Sequence, residues 1–272
     1  MSSVPQPRGL PPTLFELGGA GTNGSIVFCP DYGGNVLYAR PLVPLLGPSL
    51  RCFGLRLTPA LLEAPGGVEI EALGRRYAAD IEAAGLAAPI HLIGFSFGGI
   101  VAFETARHLA RAGSEIGLWI VDTQIHRLAP HRDLLRGLRR EIRHAVRWLR
   151  DNRKRLLRPA AEPHVLHRYR QMRLDLSEHP QAYRSVIRSL YDALARYRPR
   201  PWAGSGTVLR ARDDSWPHIG DDLGWNHLIK GVLRTIPLQT THLGLLQSPD
   251  AVQRVSQIIL DASRGAARSE PA

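Results

Sequence analysis

The chain has 272 residues, 44% hydrophobic and 22% charged, proportions that sustain a buried core and exclude a disordered or collagen-like chain. No apolar run approaches the ~20 residues of a membrane helix, and Met1–Pro12 is polar and proline-rich with none of the apolar stretch of a secretory signal. Lys+Arg 35 against Asp+Glu 24 leave a formal charge of +11, and the whole excess lies in 127–173, which holds 15 basic and 4 acidic residues.

Taken in chain order, short apolar, β-branched runs alternate with segments of helical period. Strands are predicted at Ser25–Pro30, Arg51–Leu55, Ile90–Gly94, Leu118–Asp122, Thr207–Ala211 and Val232–Ile236. Their near-continuous apolarity is that of strands buried on both faces of a parallel sheet. Helices are predicted at Val36–Leu46, Val68–Gly85, Gly98–Ala112, Leu223–Gly231 and Val252–Ala262. The alternation points to a doubly wound α/β sheet. Cys29 and Cys52 fall inside strand-like runs and form no disulfide framework, which fits a reduced, cytoplasmic, soluble protein.

Between Ile125 and Pro201 the strand signal stops. Helices are expected at Arg132–Leu157, about His164–Leu176 and Pro180–Tyr197. The first carries an apolar stripe of Leu135, Leu138, Ile142, Val146 and Leu149 against arginine-filled faces. Long structureless connections are rare, so 125–200 reads as a helical cap inserted into one domain spanning 13–264, with 1–12 and 265–272 as tails.

The most specific signal is Gly94-Phe95-Ser96-Phe97-Gly98-Gly99, which follows one predicted strand and opens a helix. Gly-x-Ser-x-Gly in that setting is a nucleophile elbow. The tight turn excludes Cβ atoms beside it and exposes the serine at the strand's carboxyl end. A serine hydroxyl needs a base, and the base needs an acid to orient it. His242 is the candidate base, because it lies just beyond the last predicted strand. His91 sits within a strand; His126, His131, His144, His164 and His167 fall in the cap region. Asp122, a lone aspartate closing the apolar run Leu118–Val121, is the favoured acid, since burying a carboxylate without a partner is costly. Asp213 and Asp214, after the following strand, are the alternative. One oxyanion donor is expected from the Phe97 backbone N–H, and a second from Asp31 or Tyr32 in the glycine-rich loop after the first predicted strand. No metal-ligand spacing is present, and no cofactor is expected on the chain.

These residues resemble the thioesterase domains of nonribosomal peptide and polyketide synthases, members of the α/β-hydrolase superfamily. The resemblance is carried by PDYGGNVLYARP at Pro30–Pro41, HLIGFSFGGIVAFETARHLA at His91–Ala110, IVDT at Ile120–Thr123, and DDLGWNHLIKGVL and THLGLL within Trp202–Leu246. It implies an α/β-hydrolase fold with a helical lid. It also implies that Ser96 takes an acyl or peptidyl chain from the phosphopantetheine thiol of a carrier protein, for release by hydrolysis or cyclisation. In this family, release domains carry their acid at the position of Asp122, whereas stand-alone editing enzymes carry it near Asp213. IVDT therefore implies the release type. An acyltransferase with the same triad is one alternative; a non-catalytic module recruiting an acidic partner through its basic lid is another. Carrier proteins are acidic, so docking near 127–173 is expected. With no aromatic interleaving or nucleic-acid fold signature and no second membrane anchor, neither a nucleic-acid nor a membrane partner is expected.

Overall fold

The computed structural model describes residues 9–125, 180–212 and 220–266. The chain divides into two compact units, 1–128 with 185–272 and 129–184. Of the second, only 180–184 belongs to the described residues. The helices expected at Arg132–Leu157 and His164–Leu176 lie outside them, as does the basic segment 127–173.

The strands are β1 (Leu14–Gly18), β2 (Ser25–Cys29), β3 (Arg51–Leu55), β4 (Ile90–Phe95), β5 (Ile116–Val121), β6 (Gly206–Ala211) and β7 (Leu233–Leu238). Among the described residues they form one sheet in the order β1-β3-β2-β4-β5-β6-β7. β1 runs antiparallel to β3, and every other pairing is parallel. The fold is thus the mostly parallel α/β sheet that the alternation predicts. β1 is the strand that periodicity did not mark.

The helices are α1 (Val43–Leu46), α2 (Pro59–Leu62), α3 (Ile70–Ala84), α4 (Phe97–Arg111), α5 (Gln181–Arg196), α6 (Gly244–Gln247) and α7 (Pro249–Ala266). Alternating strand residues feed two cores. Val27, Leu92 and Ile120 pack on one face with Leu73, Tyr77 and Ile81 of α3, Val101 and Phe103 of α4, and Leu190 and Ala193 of α5. Ile26, Ile93 and Val121 pack on the other with Leu46 of α1 and Val255 and Ile259 of α7. α4 is buried on almost every side. Its approach to α3 is close because position 74 is glycine: a Cβ there would fall 2.7 Å from Glu104 Cγ.

Two predicted helices take another form. Val36–Leu46 divides into a 3-10 turn, Leu37–Ala39, and α1; Pro41 falls between them and has no N–H to carry a helix through. Leu223–Gly231 yields only the 3-10 turn Trp225–His227. Leu223 at φ 53° and Gly224 at φ 90° are left-handed and cannot continue a right-handed helix. No helix among the described residues is long and apolar enough to cross a membrane.

Candidate active site

Because β2 through β7 run parallel, the residues that follow them emerge at one edge of the sheet, where sites collect in open α/β folds. Asp31 and Tyr32 follow β2, Ser96 follows β4, Asp122 follows β5, and His242 lies in the segment between β7 and α6.

Ser96 forms the elbow. Its φ of 54° and ψ of −122° turn the chain abruptly from β4 into α4, a conformation held only by its surroundings. A Cβ on Gly94 would land on the Gly98 carbonyl, and one on Gly98 would sit 2.9 Å from the Cys29 carbonyl oxygen. Both glycines are therefore steric requirements of the turn. The second contact also brings the elbow against the end of β2. Phe97 occupies the first helical position, where a backbone N–H has no intrahelical acceptor and the helix dipole favours negative charge.

The β2 loop is pinned by its own polar groups. The Asp31 N–H donates to the Asn35 carbonyl at 3.0 Å, Gly34 N–H donates to the Asp31 carbonyl at 2.9 Å, and Gly33 N–H donates to Asp31 Oδ1 at 2.7 Å. Of the two expected oxyanion donors, then, the Asp31 N–H is committed within the loop, and the Tyr32 N–H is the candidate that remains. Burial pushes the Asp31 carboxyl up to about 6, against the hydrogen bonds from its own loop. From the other side the loop meets α5: Tyr32 stacks on Tyr191 with ring centroids 6.5 Å apart.

Asp122 and His242 come together. His242 Nδ1 lies 2.7 Å from Asp122 Oδ2. A carboxylate only accepts, so Nδ1 is the donor in this contact. The other carboxylate oxygen accepts the Ala211 N–H at 3.1 Å, and the Asp122 N–H donates to the Leu209 carbonyl at 2.8 Å. The aspartate side chain is buried, while His242 retains 30% of its side-chain exposure. Asp213 and Asp214 lie outside the described residues, as do His126, His131, His144, His164 and His167. His91 is a core residue: the Trp119 indole donates to its Nδ1 at 3.4 Å, and burial pushes it down to about 4, which keeps it neutral.

Two residues that sequence reasoning gave no role also reach the elbow. Thr123 Oγ1 donates to the Ser96 carbonyl at 2.6 Å, and the Trp225 indole donates to the Thr123 carbonyl at 2.7 Å. Position 99 is glycine for the same reason, since a Cβ there would collide with Thr123 Oγ1. The sequence signal was the second glycine of Gly98-Gly99, which Gly-x-Ser-x-Gly does not itself require. No cluster of potential metal ligands occurs among the described residues.

The model of the family described as Thioesterase domain matches residues 60–262. Pyochelin synthetase PchF of Pseudomonas aeruginosa (strain UCBPP-PA14) is 38% identical over 85 residues, 30% of this chain. That match spans only 5% of the curated relative's length. Among solved structures, the NocB thioesterase domain in covalent complex with a fluorophosphonate nocardicin G analog aligns with a TM-score of 0.65 at 21% identity, covering 92% of this chain and 99% of that one. The type II thioesterase BorB from the borrelidin biosynthetic cluster aligns with a TM-score of 0.63 at 19% identity, covering 93% of this chain and 96% of that one. At these identities the structural likeness shows a shared fold.

Proposed function

The chain belongs to the thioesterase domain family, and from that premise we propose that it releases an acyl or peptidyl chain from the phosphopantetheine thiol of a carrier protein through an acyl-enzyme on Ser96. The observation that carries this reading is the 2.7 Å contact between His242 Nδ1 and Asp122 Oδ2 at the sheet edge where the elbow emerges. In the first half-reaction, His242 Nε2 takes the Ser96 hydroxyl proton as Oγ bonds to the thioester carbonyl carbon. Charge gathers on the carbonyl oxygen, which accepts hydrogen bonds from the Phe97 and Tyr32 N–H groups. The C–S bond then breaks, and the imidazolium returns its proton to the departing thiolate. In the second half-reaction, His242 deprotonates water or a nucleophile within the bound acyl or peptidyl chain, which attacks the ester carbonyl; the C–O bond to Ser96 breaks and the imidazolium returns the proton to Ser96 Oγ.

Asp122 orients the imidazole and offsets its charge while it is protonated. The pairing of His242 with an acid after β5 supports the release type of thioesterase over the editing type. The carrier partner is proposed to be acidic and to dock by charge on 127–173.

The test is release of free thiol from an acyl-pantetheine thioester by the wild type and by Ser96→Ala. The variant should fall at least 10³-fold, towards the uncatalysed rate, with an unchanged circular dichroism spectrum. Wild-type turnover in Ser96→Ala would overturn the reading.

A further inference from the structure

We propose that Phe95, the residue before the candidate nucleophile, is a positioning residue for His242: its ring face fixes the plane of the imidazole and stabilises the positive charge the imidazole gains when it takes the serine proton. The inference rests on the triad reading above and extends it to a side chain whose position in Gly-x-Ser-x-Gly is chemically unspecified.

The two rings are stacked, with centroids 4.5 Å apart and planes inclined by 25°. The reason is topological. Alternation along β4 sends Phe95 to the face that also buries Leu245 and Leu246, the residues shortly after His242, so the base and this ring share one side of the sheet. Phe95 is 5% exposed and is itself backed by Tyr38, whose ring centroid lies 5.7 Å away. Tyr38 does not move freely, because its hydroxyl bridges two adjacent central strands. It reaches the Cys29 carbonyl at 2.7 Å and the Ile93 carbonyl at 3.2 Å. A fixed path thus runs from β2 and β4 through Tyr38 and Phe95 to His242.

Asp122 and Phe95 restrain different freedoms of the imidazole. The contact from Nδ1 to Asp122 Oδ2 fixes one atom of the ring. A ring stacked on its face resists tilting of the imidazole plane and so helps aim Nε2. The electrostatics act in the same direction as the reaction. A phenyl face carries the negative end of the ring quadrupole, which attracts a cation more strongly than a neutral ring. The imidazole is neutral before serine attack and cationic after it, so the attraction grows along the reaction coordinate, the condition for lowering the barrier.

The experiment replaces Phe95 in the full chain with 4-fluoro-, 3,5-difluoro- and 3,4,5-trifluorophenylalanine. These nearly preserve ring shape while withdrawing negative charge from its face. The readout is the rate of Ser96 acylation by an acyl-pantetheine thioester, with Ser96→Ala as the blank. The rate should fall stepwise with each added fluorine, by roughly threefold to tenfold across the series, in kcat and not in KM. Phe95→Leu should lose at least as much while remaining folded. A rate independent of fluorination in an active protein would overturn the role of Phe95 and leave the triad standing. A wild type that is not acylated at Ser96 would overturn the triad reading, and this inference with it.

Discussion

At the scale of single residues, the site depends on two backbone conformations that L-residues seldom adopt, Ser96 at φ 54° and Asp122 at φ 47°. Each costs about 1–3 kcal/mol and persists only if its surroundings over-determine it. Here they do so jointly. Thr123, next to Asp122, donates to the Ser96 carbonyl at 2.6 Å, while both carboxylate oxygens of Asp122 are engaged, one by the Ala211 N–H and one by His242. The amide of Asp122→Asn removes the pure acceptor that holds Nδ1 protonated, so the variant should lose about 10⁴-fold in turnover, the scale seen when a triad acid becomes an amide. Asp213→Asn and Asp214→Asn should each stay within about threefold of wild type in the same thioester assay; a collapse in either would move the acid to β6. Ser96 was legible in the sequence because the elbow's sterics demand glycine at 94 and 98. His242 and Asp122 were legible because strand ends can be counted. The ring under His242 and the Thr123 hydroxyl on the Ser96 carbonyl were not, because both are contacts through space between residues far apart in the chain, and periodicity reports burial without naming the neighbour.

At the scale of elements, α5 is the one described helix of the inserted region, and its carboxyl end is fixed to α4 by a buried polar cluster. The Tyr197 hydroxyl donates to Glu104 Oε2 at 2.7 Å, and Arg107 Nη1 donates to the other carboxylate oxygen. Glu104 is 1% and Tyr197 1% exposed, so removing one partner leaves buried acceptor capacity unmet. Tyr197→Phe should therefore cost about 1–3 kcal/mol in urea denaturation; an unchanged midpoint would show that the hydroxyl contributes nothing there. Ile187, Leu190, Tyr191, Ala193 and Tyr197 make a buried stripe at helical spacing, which is why this helix was readable from sequence. β1 was not: Leu-Phe-Glu-Leu-Gly is short, lies at the sheet edge, and buries only Leu14 fully. The Leu223–Gly231 segment misled because its apolar spacing is helical, while the backbone sign at Leu223 and Gly224 is decided by local turn geometry.

At the scale of the whole molecule, charge is as unevenly distributed as chemistry. The residues outside 127–173 carry 20 basic and 20 acidic side chains, so the net charge of the chain arises from that one segment. If it steers an acidic carrier protein, kcat/KM for a carrier-bound thioester should fall about tenfold between 50 and 500 mM salt, as screening shortens the Debye length from more than 10 Å to a few ångströms. The same acyl group on free pantetheine should show almost no salt dependence. Equal salt slopes for the two substrates would remove the docking role of the basic segment without touching the triad.

In the proposed reaction a carrier-bound chain passes through a covalent ester on Ser96. The most direct measurement is intact mass followed by peptide mapping, taken within the first turnover after mixing the protein with an acyl-loaded carrier. One acyl increment should appear on the peptide containing Ser96 in the wild type and be absent from Ser96→Ala. Release of the acyl chain with no increment on any peptide, or with the increment on another residue, would contradict it.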